Sequence, residues 1–300
     1  MNITTAAGAG IIVNPLDAFA RKIPVHGTNP AFQIMIMATN WGFAGSWDTF
    51  ASKISEEGYD GAEVWYAEDK EQRESMLEAF SRHNLKFGFL IGSSEKDPRA
   101  HLARFSGMLE GAVGLNPVYI NCHSGRDYFS FDENRAFIDL TTKVSESSGL
   151  PVYHETHRSR ILYSSPASRS YLDNDPSLKI TLDISHWCNV SESLLADQEE
   201  TVSLAIERTG HIHARIGHPE GPQVNDPRAP EWKRAVEAHF GWWDRVVERK
   251  KRSGELLTIL TEFGPPDYMP TLPYTHKPVA DQWEINKYML DTLRKRYAQD

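Results

Sequence analysis

Short apolar runs rich in Val, Ile, Leu, Phe and Tyr recur along the chain, each followed by a polar or amphipathic stretch long enough for a helix. The runs are QIMIMATN (33–40), GAEVWY (61–66), KFGFLIG (86–92), PVYINCH (117–123), PVYHETH (151–157), LKITLDISH (178–186), HIHARIGH (211–218) and LLTILTEFG (256–264). A spacing of roughly 25–45 residues suits repeated βα units. Near-continuous apolar content predicts strands buried on both faces, as parallel sheets require.

Helices are predicted between the runs. SWDTFASKISEEG (46–58) opens on a Ser cap and stops at Gly58. The stretch 68–84 is amphipathic, with Met76, Leu77 and Phe80 on one side. Similar patterns cover about 98–113, 131–148, 191–208, 231–252 and 280–297, and the Ser/Pro-rich connection after the fifth run predicts a short helix. Unbroken alternation predicts one α/β domain, a single (β/α)8 barrel over residues 31–300, preceded by an extension over residues 1–30. The rival architecture, an open doubly wound sheet, usually carries a G-x-G-x-x-G turn after an early strand, and the chain has none.

Composition narrows the partners. The chain has 300 residues, 40% of them hydrophobic, enough for a large core. A net charge of -9 disfavours nucleic acid. Two cysteines, Cys122 and Cys188, leave no disulfide framework and fit a reducing, cytoplasmic setting. No apolar run approaches the roughly 20 residues of a membrane span. The segment AAGAGIIV (6–13) has no basic residue before it and makes a poor signal peptide.

The chemistry gathers at the ends of the later runs. Seven of the 12 histidines, namely His123, His154, His157, His186, His211, His213 and His218, lie in or just after four consecutive predicted strands. In closed α/β barrels the reacting groups come from the C-terminal strand ends. Alternation places Tyr153, Glu155 and His157 on one face of the fifth strand, which turns His154 toward the helices. It also pairs Asp183 with Ser185, His211 with His213 and Arg215, and Thr258 with Leu260 and Glu262. His186 turns inward only where its strand gives way to loop. Buried carboxylates without a counter-charge are costly, so Glu155, Asp183, His213 and Glu262 at one barrel mouth are most simply explained by a divalent cation. Three carboxylates with one imidazole suit manganese, the first choice, or magnesium, and tolerate cobalt or zinc.

HETHR (154–158), LDISH (182–186), GHIHAR (210–215) and TEFG (261–264) resemble the motifs of the xylose-isomerase-like barrel superfamily. That superfamily takes in sugar-phosphate isomerase/epimerase-like proteins, ketose 3-epimerases, inosose dehydratase and endonuclease IV, and the resemblance covers roughly residues 31–300. It implies that Glu155, Asp183, His213 and Glu262 bind the metal and that His186 contacts substrate. It also brings the option of a homo-oligomer, since dimers and tetramers are common in such barrels. The Arg that follows the strand-seven ligand in the epimerases has no matching position here, Arg215 lying closer to His213 and Arg228 further along. The epimerases' substrate-contacting Glu is missing, with Ile161 near its spacing. HETHRSR supplies Arg158 and Arg160 instead, basic groups suited to a carboxylate or phosphate.

The expected activity is isomerisation or epimerisation of a small, ketose-like carbohydrate. A metal-stabilised enediolate forms as Glu155 or Glu262 removes a proton and the other returns it. Dehydration or β-elimination shares the first step and stays open as a lyase. Metal-dependent phosphodiester hydrolysis of the endonuclease IV kind is a further reading, recruiting His123, His186 and His218. The missing Asp-x-His pair after strand seven, where the loop reads GPQVNDPRAP (221–230), and the acidic charge count against it. A non-catalytic barrel is the remaining alternative. His123 reads as a pocket wall or a substrate contact, and His211 as a support for His213. Trp41, with Trp65, Tyr66 and Trp187, reads either as core or as an apolar wall for a sugar face. The Pro-rich stretches 221–230 and 264–278 are long loops expected to wall the pocket.

Overall fold

The structure is a computed structural model that describes residues 32–297, so the expected extension over residues 1–30 lies outside the described residues. Eight parallel strands close into one barrel in chain order: β1 (Gln33–Thr39), β2 (Gly61–Trp65), β3 (Lys86–Gly92), β4 (Ile120–His123), β5 (Val152–Glu155), β6 (Ile180–Leu182), β7 (Thr209–Ala214) and β8 (Leu256–Thr261). The ring is completed by β8 against β1, with Met35 opposite Thr258 and Met37 opposite Leu260. Around it lie α1 (Trp47–Glu56), α2 (Lys70–Arg82), α3 (Pro98–Val113), α4 (Phe131–Ser148), α5 (Ser165–Asn174), α6 (Ile184–Val190), α7 (Glu199–Arg208), α8 (Lys233–Ser253) and α9 (Gln282–Arg296).

Local chemistry explains the helix limits. Ser46, Asp69 and Asp97 each cap a following helix by accepting from a backbone N–H. Ser130 and Glu133 form a reciprocal capping box at α4, which Gly149 ends in the left-handed conformation with φ 72°. Strand alternation divides the core. Ala62, Val64, Phe89, Ile91, Ile120, Cys122, Ile212, Ala214, Leu257 and Ile259 pack against the helices. Met37, Tyr119 and Leu260 fill the barrel interior. Two inward positions of β3, on either side of Leu90, are glycine: a Cβ on Gly88 would meet the Tyr119 ring at 2.5 Å, and one on Gly92 would meet the His123 Cβ at 2.8 Å. Trp242 and Trp243, on α8, are buried in the outer core.

The sixth unit departs from the sequence reading. β6 is only three residues long, and Asp183 ends it by capping α6, accepting from the Ser185 N–H at 3.2 Å. His186 therefore sits on the first turn of a helix, where a loop was expected. The helix expected from residue 191 begins at Glu199, after an irregular stretch that follows α6.

Candidate active site at the strand ends

Alternation brings the polar inward residues together. Glu155 ends β5, Asp183 follows β6, His213 lies on β7 and Glu262 follows β8, and all four are buried. The Nδ1 of His213 lies 2.9 Å from Glu262 Oε2 and 3.6 Å from Glu155 Oε1. Among the described residues none of these three buried atoms has a hydrogen-bond partner. Two overlapping sets, Asp183–His213–Glu262 and Glu155–Asp183–His186, each offer ligand atoms within 4.8 Å of one another. Ligands on opposite sides of a divalent ion, with bonds of about 2.2 Å, lie about 4.4 Å apart, so this spacing fits a cation. Converging oxygens and a lone-pair nitrogen left without hydrogen bonds are the arrangement such an ion satisfies.

A carboxylate that the motifs do not contain supports His213 from below. Glu63 points inward from β2, its Oε1 3.1 Å from His213 Nε2 and its Oε2 3.2 Å from His211 Nε2. Asn121, on β4, donates to Glu155 Oε2 at 2.8 Å and to Glu63 Oε1 at 3.4 Å. With the Nε2–H of His213 donated to Glu63, its Nδ1 lone pair faces Glu155 and Glu262. This is the carboxylate–histidine arrangement found behind metal-ligating imidazoles. Burial alone would raise the Glu63 pKa, but the His213 and His211 imidazoles outweigh it and hold the carboxylate well below its usual range. Burial works against a charged His213, yet Glu262, Glu155 and Glu63 keep its pKa well above the ordinary value. The cluster thus demands positive charge where His213 stands. A signal for Glu63 was present in the sequence: a charged residue in the middle of the apolar run GAEVWY.

Arg215 is the nearest built-in cation. It is buried, donates to Asp183 Oδ2, lies 3.6 Å from Glu262 Oε2, and donates to His186 Nε2 at 2.9 Å. Burial raises the Asp183 pKa to about 7, with Arg215 opposing the rise. His186 is held neutral by burial and by the positive fields of His157 and Arg215. Because its Nε2 accepts from Arg215, its Nδ1 carries the proton, and that buried N–H has no partner.

The remaining expected residues surround this centre. His123 lies 3.0 Å from Glu155 Oε2, and its ring packs, tilted, 4.4 Å from that of His157, which in turn lies 4.0 Å from His186. Arg158 and Arg215 cover the ring of Tyr268, at 5.2 and 4.7 Å. Tyr268 comes from the loop after β8, and Trp41 packs edge-on against it at 4.9 Å. Trp65 is 52% exposed beside His123, whereas Trp187 is fully buried, donating to the Leu162 carbonyl, and Tyr66 packs on Phe89 toward the helices. Trp187 is therefore core, and Tyr66, just past β2, packs partly buried against the helix-side core. His154 does face the helices, held by Ser124 and Thr141 at 2.7 Å each. His218 stands apart, against Trp232. Among the described residues no helix is long and apolar enough to cross a membrane.

The closed (β/α)8 barrel is shared with solved structures of two sugar epimerases and a probable dehydratase. A 3-keto-D-glucoside 4-epimerase from E. coli superposes with a TM-score of 0.59 at 14% identity, covering 88% of this chain and 100% of that one. A D-allulose 3-epimerase from Methylomonas sp. gives 0.59 at 17%, covering 88% and 98%. A probable 3-DHS dehydratase from Bacillus anthracis gives 0.55 at 17%, covering 88% and 100%. No protein-family model matches the chain, and no curated protein matches it in sequence.

Proposed function

We propose that the chain is a divalent-metal-dependent isomerase or epimerase of a small ketose-like or keto-sugar substrate, working by proton transfer at carbon. The observation that carries this reading is the meeting of Glu155 Oε1, His213 Nδ1 and Glu262 Oε2, buried and without hydrogen bonds, at the mouth of the barrel. Glu155, Asp183, His213 and Glu262 hold the ion, and the oxygen-rich set favours manganese. When bound, it supplies positive charge beside the substrate oxygens that become negative as a proton leaves the neighbouring carbon. Glu155 and Glu262 project from strands that are not neighbours, so they reach the substrate from different sides. One takes the proton and the other returns it. Asn121 and His123 orient Glu155 through its Oε2, leaving Oε1 free. His186 offers its unpartnered Nδ1–H to a substrate oxygen, and Tyr268 closes the pocket over Arg158 and Arg215. The similarity to two sugar epimerases supports the substrate class.

A lyase remains the second reading, because removal of the same proton begins a dehydration and one structural neighbour is described as a probable dehydratase. Incubation of the manganese-loaded protein with ketoses and 3-keto-sugars in deuterium oxide tests the proposal. Deuterium enters beside the carbonyl in the wild type, and Glu262→Gln reduces that exchange by at least a hundredfold. Manganese that does not bind, or exchange untouched by Glu262→Gln, overturns it. Loss of water from the substrate selects the lyase.

A further inference from the structure

Two arginines at the barrel mouth form no ion pair with an acidic side chain among the described residues. Arg126 follows β4 by three residues, and Arg160 lies five residues beyond Glu155. The Arg126 guanidinium donates to the Ser93 carbonyl at 3.3 Å, and Arg160 donates to the same oxygen at 3.2 Å. No carboxylate among the described residues forms an ion pair with either. The Nε of each is buried and, among the described residues, without a hydrogen bond. The two guanidiniums share one carbonyl oxygen, and both side chains are only partly buried, so further N–H groups remain open to a ligand. Burial, then Arg126, lowers the Arg160 pKa to about 10, while Glu155 and Asp127 act in the opposite direction. Asp127 is itself exposed.

The backbone holds the pair in place. Gly125 has φ 50°, and a Cβ there would meet Asn134 Oδ1 at 2.2 Å. Asn134 accepts from the Arg126 N–H at 3.2 Å and donates to its carbonyl at 2.8 Å. The Arg160 N–H donates to the His157 carbonyl at 3.1 Å, and the next residue, Ile161, donates to the Ser124 carbonyl at 3.1 Å. Both loops are therefore fixed to each other and to the strand ends that carry His123 and Glu155. Like charges pressed together on rigid loops destabilise the fold unless something negative joins them.

We infer that Arg126 and Arg160 seat an oxyanion of the substrate, a carboxylate or a phosphate, so that the molecule processed at Glu155 and Glu262 is a sugar acid or sugar phosphate and not a neutral sugar. The inference rests on the proposed function for the placing of the reacting carbon, but the anion seat stands on its own geometry. Guanidinium pairs suit this role because each presents parallel N–H groups to two oxygens.

Binding of three six-carbon polyols to the manganese-loaded full chain tests it: D-sorbitol, D-gluconate and D-sorbitol 6-phosphate, by calorimetry at low and high salt. At least one anion binds about tenfold or more tightly than sorbitol, and the preference shrinks with salt. Whichever anion is favoured tells carboxylate from phosphate. Arg160→Gln and Arg126→Gln each remove about tenfold or more of that preference, Arg160→Lys restores part of it, and sorbitol binding is unchanged. Circular dichroism and manganese titration of each variant establish that it is folded and loaded. Equal affinity for sorbitol and both anions in the wild type, or an anion preference that survives both glutamine variants, overturns the inference. If that happens while manganese binding and deuterium exchange persist, the proposed function still stands. If anions bind through the arginines but neither manganese nor exchange is seen, the seat stands and the proposed function falls.

Discussion

Glu63→Gln probes the buried support of the candidate metal centre without touching a ligand. Gln keeps the shape and can still accept from His213 Nε2–H, now at 3.1 Å from Glu63 Oε1, so the change removes the charge and puts an amide NH2 opposite His211 Nε2. An ion on the far side of the imidazole stands about 7 Å from that carboxylate. At an effective dielectric of about 20, a single negative charge attracts a divalent ion over that distance by about 5 kcal/mol, an upper bound before relaxation. Supporting carboxylates of this kind change metal affinity by about tenfold to a hundredfold, or about 1.4–2.7 kcal/mol. Calorimetric titration with manganese measures the difference. Tyr153→Phe serves as a control, altering the barrel interior without touching Glu155, Asp183, His213 or Glu262. The expected result is a weakening in that range for Glu63→Gln and none for the control. Manganese affinity within twofold of wild type in the Glu63 variant would refute the account of how His213 is held.

Two further outcomes test the fold. His154 and His239 are both buried, and burial pushes each pKa down to about 4 from an ordinary 6.5. Their stabilising contribution is complete above pH 6.5 and is lost as the pH falls from there toward 4, since only the unfolded chain takes up the proton. Between pH 7.5 and pH 5 each accounts for about 2 kcal/mol of lost stability. Urea unfolding should show the drop, and His154→Gln, which keeps a partner for Ser124 or Thr141, should reduce it by about 2 kcal/mol; a flat profile contradicts the burial argument. Glycines give the other test. Gly88→Ala forces a Cβ against Tyr119 and should cost about 1–3 kcal/mol, whereas Gly107→Ala, on α3 with open space around it, should gain about 0.5–1 kcal/mol. Equal effects at the two positions would mean that the inner face of β3 is not as close to β4 as described.

The eight βα units, and the inward pointing of Glu155, His157, His213 and Arg215, follow from the sequence itself, because a period of two on a strand buried on both faces leaves little choice of side. His154 is a case in point: one position out of phase with Glu155, it could only face the helices. Tertiary structure alone decided what sits beside what. Glu63 reads locally as an odd charge in an apolar strand, and only closure of the ring lays it across the barrel from His213, 150 positions away. Arg126 and Arg160 likewise meet at Ser93 because three loops from neighbouring strands share one rim. Trp41, Trp65, Tyr66 and Trp187 read from sequence either as core or as a rim wall, and the structure divides them: the early start of α6 sends Trp187 into the core, Tyr66 packs partly buried just past β2, and Trp65 stays exposed. Alternation fixes the direction of a side chain, but its neighbours depend on barrel closure and on where each strand stops.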